Sequence, residues 1–88
     1  MSLAQLHPVG ENAGTAFLRF EEGAVSAAHR HPAGEDLFVI SGRLRVGDRV
    51  LDAGDYLYTP AGGVHDAEAL TPTVTLISVP EAIEFLDQ

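Results

Sequence analysis

Glycine and proline interrupt this chain so often that few stretches are long enough to make a helix. Nine glycines and five prolines are spread over 88 residues, and both residue types punctuate regular structure. The pieces between them read as short strands. Residues 15–21 form one, ending at Gly23, and 25–31 form a second that carries His29 and His31. Pro32, Ala33 and Gly34 turn the chain into 35–41, the most apolar piece. Both parities of that piece are apolar past Asp36, as expected of a strand covered on both faces. Ser41-Gly42 and Gly47-Asp48 supply tight hairpin turns, because glycine adopts positive φ at little cost.

The strands between those turns, 43–46 and 49–51, alternate polar and apolar residues and so predict one wet face. Asp52, Ala53 and Gly54 turn again into 55–59, and a longer turn from Pro60 to Gly63 leads to 64–70, which carries His65. The alternation over 73–79 marks a further strand. Pro80 suits the first turn of a helix, and Glu81 and Glu84 suit its electropositive start. A short helix over 80–87, presenting Ile83, Phe85 and Leu86, is therefore expected. Many short strands with regularly spaced turns predict an all-β sandwich or barrel.

A chain of 88 residues forms one domain, taken here as 1–88, and buries only about 60–65% of its unfolded surface. Domains of this size usually gain stability from a metal, a disulfide or a partner subunit. Cysteine is absent, which leaves a metal, a homodimer, or both. Thirteen acidic side chains against five basic ones give a formal charge of −8. Such a surface repels phosphate backbones and offers nothing to anionic lipid, so neither a nucleic acid nor a membrane is an expected partner. No run of 18 apolar residues is present to span a bilayer. The first ten residues lack the charged start and apolar stretch of a signal peptide, so a soluble cytoplasmic protein is expected.

Two spaced sets of residues carry the functional information. The first is Gly23, five residues, His29, one residue, His31, three residues, Glu35, six residues, Gly42. The second is Gly54, five residues, Pro60, one residue, Gly62, two residues, His65. Three imidazoles and one carboxylate, with no thiolate, form an N/O ligand set for a divalent ion: Fe, Mn, Ni, Co or Zn. His29 and His31 are two apart on a strand and so point to the same face. Glu35 follows a three-residue turn and is expected on the neighbouring strand, and barrel closure is expected to deliver His65. His7, isolated from both sets, reads as a surface or satisfied core residue.

These two sets resemble the paired motifs of the cupin superfamily, motif 1 at 23–42 and motif 2 at 54–69. The first matches at all five fixed positions and the second at four, with Ala69 where an asparagine is usual. Glycine makes up roughly 7% and proline roughly 5% of average sequence, so nine matches at fixed spacing are not a chance event. The segments around His31–Asp36 and Tyr56–Pro60 are similar to the ChrR anti-sigma-factor cupin group, which includes metal-sensing domains and diketone-cleaving dioxygenases. The resemblance implies a small jelly roll, or double-stranded β-helix, in which His29, His31, Glu35 and His65 are metal ligands. Ala69 then removes a hydrogen-bond partner near the last ligand but no ligand.

Two functions follow from the resemblance. One is a metal-dependent enzyme of dioxygenase or isomerase type, acting on a small oxygen-donor molecule such as a diketone, hydroxy-ketone or phenol. The other is a non-catalytic metal- or ligand-binding sensor. No separate general acid or base stands out. Tyr56, Tyr58 and Arg19 are the remaining side chains to weigh for the pocket, while Arg30, Asp66 and Glu68 are expected to face solvent.

Overall fold

The computed structural model describes residues 1–86 and contains ten strands and no helix among them. They are β1 (Ser2–Gly10), β2 (Ala13–Phe20), β3 (Val25–His31), β4 (Glu35–Ser41) and β5 (Arg43–Val46), followed by β6 (Arg49–Asp52), β7 (Tyr56–Thr59), β8 (Gly63–Ala69), β9 (Thr73–Val79) and β10 (Glu84–Phe85). They form two five-stranded sheets, ordered β1-β2-β9-β4-β7 and β10-β3-β8-β5-β6. Every pairing is antiparallel.

The core lies between the sheets and draws on both. Ala16, Phe20, Leu37, Val39, Ile77 and Val79 come from the first sheet, and Leu44, Val46, Leu51, Ala67 and Ala69 from the second. The strict alternation of β9 places Thr73, Thr75, Ile77 and Val79 inward. Its two buried threonines are satisfied locally: the Thr75 hydroxyl donates to the Leu18 carbonyl (3.1 Å) and that of Thr73 to the Thr71 carbonyl (2.8 Å). Buried hydroxyls without such acceptors would cost more than their methyl groups gain.

Two expectations are corrected here, and one strand appears that the sequence reading left unassigned. Residues 80–86 do not form a helix. Glu84 and Phe85 instead pair with Arg30 and His29 of β3, and the Leu86 amide donates to the Ala28 carbonyl (3.3 Å). An eight-residue helix gains too few internal bonds to offset nucleation, whereas the free edge of β3 offers ready backbone partners. Residue 87, the end of the expected helix, lies outside the described residues. Secondly, 1–10 contains a strand that the apolar pattern does not mark: all nine residues of β1 are exposed, and backbone pairing with β2 holds it.

Thirdly, β4 is covered on one face only. Leu37 and Val39 are buried, while Phe38 and Ile40 remain about two-fifths exposed (39% and 43%). The registers align Ala4, Phe17, Leu76, Phe38 and Tyr56 in one row across the outer face of the first sheet. That row explains the apolar outer parity of β4, since neighbours on a sheet face partly shield one another.

Candidate metal centre

Strand pairing, rather than barrel closure, assembles the histidines. His29 and His65 are direct cross-strand partners in the β3–β8 ladder, and His31 lies two residues along β3 on the same inward face. The three ring centroids are 4.7, 4.7 and 4.8 Å apart, a nearly equilateral arrangement. Glu35 does not come from a neighbouring strand of that sheet. It opens β4 in the opposite sheet and reaches across the interior, with Oε1 3.4 Å from His31 Nε2 and 3.6 Å from His65 Nε2. The four residues singled out in the sequence therefore converge.

Two glycines fix the position of His31. Its carbonyl accepts from the Gly34 amide (3.2 Å) and the Gly62 amide (2.8 Å), which ties the β3–β4 turn to the loop before His65. Both glycines have positive φ, +87° and +85°, a conformation that side chains disfavour. A Cβ on Gly34 would also lie 2.7 Å from the Thr59 carbonyl oxygen.

The donor set fits a cation. His29 Nδ1–H donates to the Ala27 carbonyl (2.6 Å), which leaves Nε2 as the ring nitrogen that could bind a cation. His65 Nδ1 lies 3.5 Å from Thr59 Oγ1. His31 Nε2 and His65 Nε2 face each other at 3.0 Å. Two imidazole nitrogens each about 2.1 Å from one ion, at right angles, would be about 3.0 Å apart. Ligand nitrogens of His29, His31 and His65 all lie within 4.8 Å of one another. His31 Nδ1 and Glu35 Oε1 are buried with no hydrogen-bond partner. For Glu35 Oε1, a cation would supply the missing partner, and an orphaned buried acceptor otherwise costs about 1–3 kcal/mol.

Electrostatics point the same way. Burial pushes His31 down to about 4, with help from the neighbouring His29 and His65. Burial, then His29, also lowers His65. Both rings are thus neutral at physiological pH, the form that binds metal. Burial, then the Asp36 charge, raises Glu35 to about 7, so its carboxyl is readily converted to an anionic ligand by a nearby cation.

A cavity of about 410 Å³ opens onto the cluster, with His29, His31, Glu35 and His65 in one wall and mainly aliphatic side chains in the others. Other residues weighed in the sequence lie elsewhere. Tyr56 and Tyr58 are exposed and outside the cavity, and the Tyr56 hydroxyl donates to Asp36. Arg19 and His7 are exposed, and Arg30 pairs with Glu84 (3.2 Å). Asp66 and Glu68 pair with Arg45 rather than standing free in solvent. Ala69 is buried in the core, its amide bonded to the Ala24 carbonyl. Sequence reasoning missed the Ala27 carbonyl and Thr59 as partners of the histidines, since spacing carries no signal for either. It also missed Phe85, whose ring meets His29 edge-on with centroids 6.0 Å apart.

Two facing antiparallel sheets with inward histidines contributed by adjacent strands define a cupin-type protein. Residues 3–83 match the ChrR cupin-like domain family, and the chain belongs to it. Over 63 residues it is 44% identical to a DNA damage-repair/toleration protein of Arabidopsis thaliana, covering 65% of this chain and 20% of that protein. The fold is shared with an acetylacetone dioxygenase from Acinetobacter johnsonii (TM-score 0.87, 19% identity, 98% of this chain and 63% of that one). It is also shared with an oxalate oxidase (TM-score 0.74, 24% identity, 86% of this chain and 47% of that one). The chain thus spans a fifth of the curated relative and less than two thirds of both enzymes. Among the described residues no helix is long and apolar enough to cross a membrane.

Proposed function

We propose that this chain is a cytoplasmic, divalent-metal-dependent enzyme of dioxygenase or isomerase type, built as one jelly-roll barrel over 1–88 and acting on a small oxygen-donor molecule. The observation that carries this reading is the adjacency of a buried three-histidine cluster to a cavity large enough for such a molecule. His29, His31, His65 and Glu35 would hold an Fe, Mn, Ni, Co or Zn ion. The ion would supply Lewis acidity, or with iron a site for oxygen. The protein's own part is to fix the imidazoles through the Ala27, Gly34 and Gly62 contacts and to exclude bulk water with aliphatic walls.

A sensor without turnover is the second reading. It is favoured by one specific feature, that the cavity contains no acid or base besides the ligand set itself. Oxygen uptake by Fe(II)-loaded protein with a panel of diketones, hydroxy-ketones and phenols separates the two. Consumption that depends on His65 supports the enzyme, and silence across the panel with every metal contradicts it.

A further inference from the structure

All five cationic side chains of this protein are arginines, and none lines the cavity. Arg43 pairs with Asp52 (2.8 Å), Arg45 with Asp66 (3.2 Å) and Arg30 with Glu84 (3.2 Å). Arg19 and Arg49 are exposed. Beyond the ligand set, the polar side chains in the walls are Gln5, Asn12 and Ser26. Away from the ligand set, the interior therefore suits the apolar body of a small molecule.

Of the residues that line the cavity, Met1, Leu3 and Phe85 are each more than half exposed and so mark its mouth, and Ala82 and Ile83 lie beside Phe85 in the chain. The apolar surface at the mouth is therefore open rather than filled by the core. Phe85 is the cross-strand partner of His29. Direct partners on a ladder project from the same face, which sets the Phe85 ring beside the His29 imidazole on the cavity side. Only two residues of β10 pair with β3, and the Arg30–Glu84 ion pair that accompanies them is exposed. Exposed pairs of this kind contribute little, so the segment is lightly held.

We propose that Phe85, backed by Ile83, is the specificity-determining residue of this site: it limits the size of the apolar substituent on an oxygen-donor substrate. This rests on the reading of the site as metal-dependent and names its substrate class. Phe85 touches neither reacting atoms nor metal. It acts by occupying the space next to His29 into which a larger substituent would extend.

The test uses the full chain loaded with Co(II) under anaerobic conditions, so that binding is read without turnover. Ligand binding is followed by the cobalt visible absorption and by calorimetry, with 2,4-pentanedione and 1-phenyl-1,3-butanedione as probes. The wild type is expected to prefer 2,4-pentanedione to the phenyl compound by about tenfold or more. Phe85→Ala is expected to abolish or invert the diketone preference, with cobalt content unchanged, and Phe85→Leu to restore part of it. Ile83→Ala is the second variant and is expected to shift the preference in the same direction. An unchanged diketone preference in both alanine variants overturns the inference alone. Wild-type cobalt absorption that responds to neither probe overturns the reading of the site itself.

Discussion

Glu35 holds its proton to unusually high pH, and metal uptake should expel it. Burial and Asp36 bring its pKa to about 7, so the carboxyl is about 90% protonated at pH 6, half protonated at pH 7 and about 10% protonated at pH 8. Coordination through Oε1 requires the anion. His31, held near 4, is almost fully neutral throughout this range and releases almost nothing. Glu35 therefore contributes about 0.9 proton per metal at pH 6, falling to about 0.1 at pH 8. The apparent affinity accordingly rises about tenfold between those two pH values. Other groups also release protons, and the Glu35→Gln variant removes them by subtraction because glutamine preserves the shape and does not titrate. The assay is Zn(II) calorimetry in buffers of different ionisation enthalpy, with wild type and variant compared at each pH. A difference near 0.9 at pH 6 that vanishes by pH 8 is expected. A difference near zero at pH 6, or one that grows with pH, refutes the assignment of Glu35 as a ligand that titrates near 7.

The metal-free protein should be nearly indifferent to pH between 7 and 5 as far as this pair is concerned. Glu35, raised in the folded state, loses stability as pH rises from about 4.5 to 7, whereas His31, depressed, loses it as pH falls from about 6.5 to 4. The two slopes oppose, so from pH 7 to pH 5 metal-free Glu35→Gln should lose about 2 kcal/mol more than wild type in urea unfolding; equal curves contradict this. Leu44 is completely buried at the centre of the core, and Leu44→Ala should cost about 2–5 kcal/mol by the same measurement. A smaller loss would place the core elsewhere. A homodimer is also expected, using the apolar row Phe17–Leu76–Phe38 on the outer face of the first sheet. Sedimentation that shows a monomer at micromolar concentration would remove it.

The convergence of the candidate ligands was legible because metal binding would constrain residue type and spacing together. His29 and His31 had to share a face once residues 25–31 formed a strand, and β3, β4, β5 and β9 have the expected limits. What spacing does not encode is which sheet a strand joins. The three-residue turn after His31 is equally compatible with a hairpin and with a crossing between sheets, and the chain takes the crossing at Glu35. Likewise His65 reaches His29 by direct pairing, a register that no local pattern specifies. β1 left no periodic signal because none of its side chains is buried. Residues 80–86 carried helix-start chemistry, yet the unpaired edge of β3 outweighed it. Apolar residues on both parities of β4 suggested two covered faces, whereas Phe38 and Ile40 belong to an open apolar surface.

Bound metal, measured by elemental analysis on protein expressed in metal-defined medium, tests the cluster most directly. Wild type should carry about one divalent ion per chain, and His29→Ala and His65→Ala should each lose most of it while retaining the all-β circular dichroism of the parent. Metal content that stays at one ion per chain in both variants would mean that the three imidazoles and Glu35 converge for some other reason.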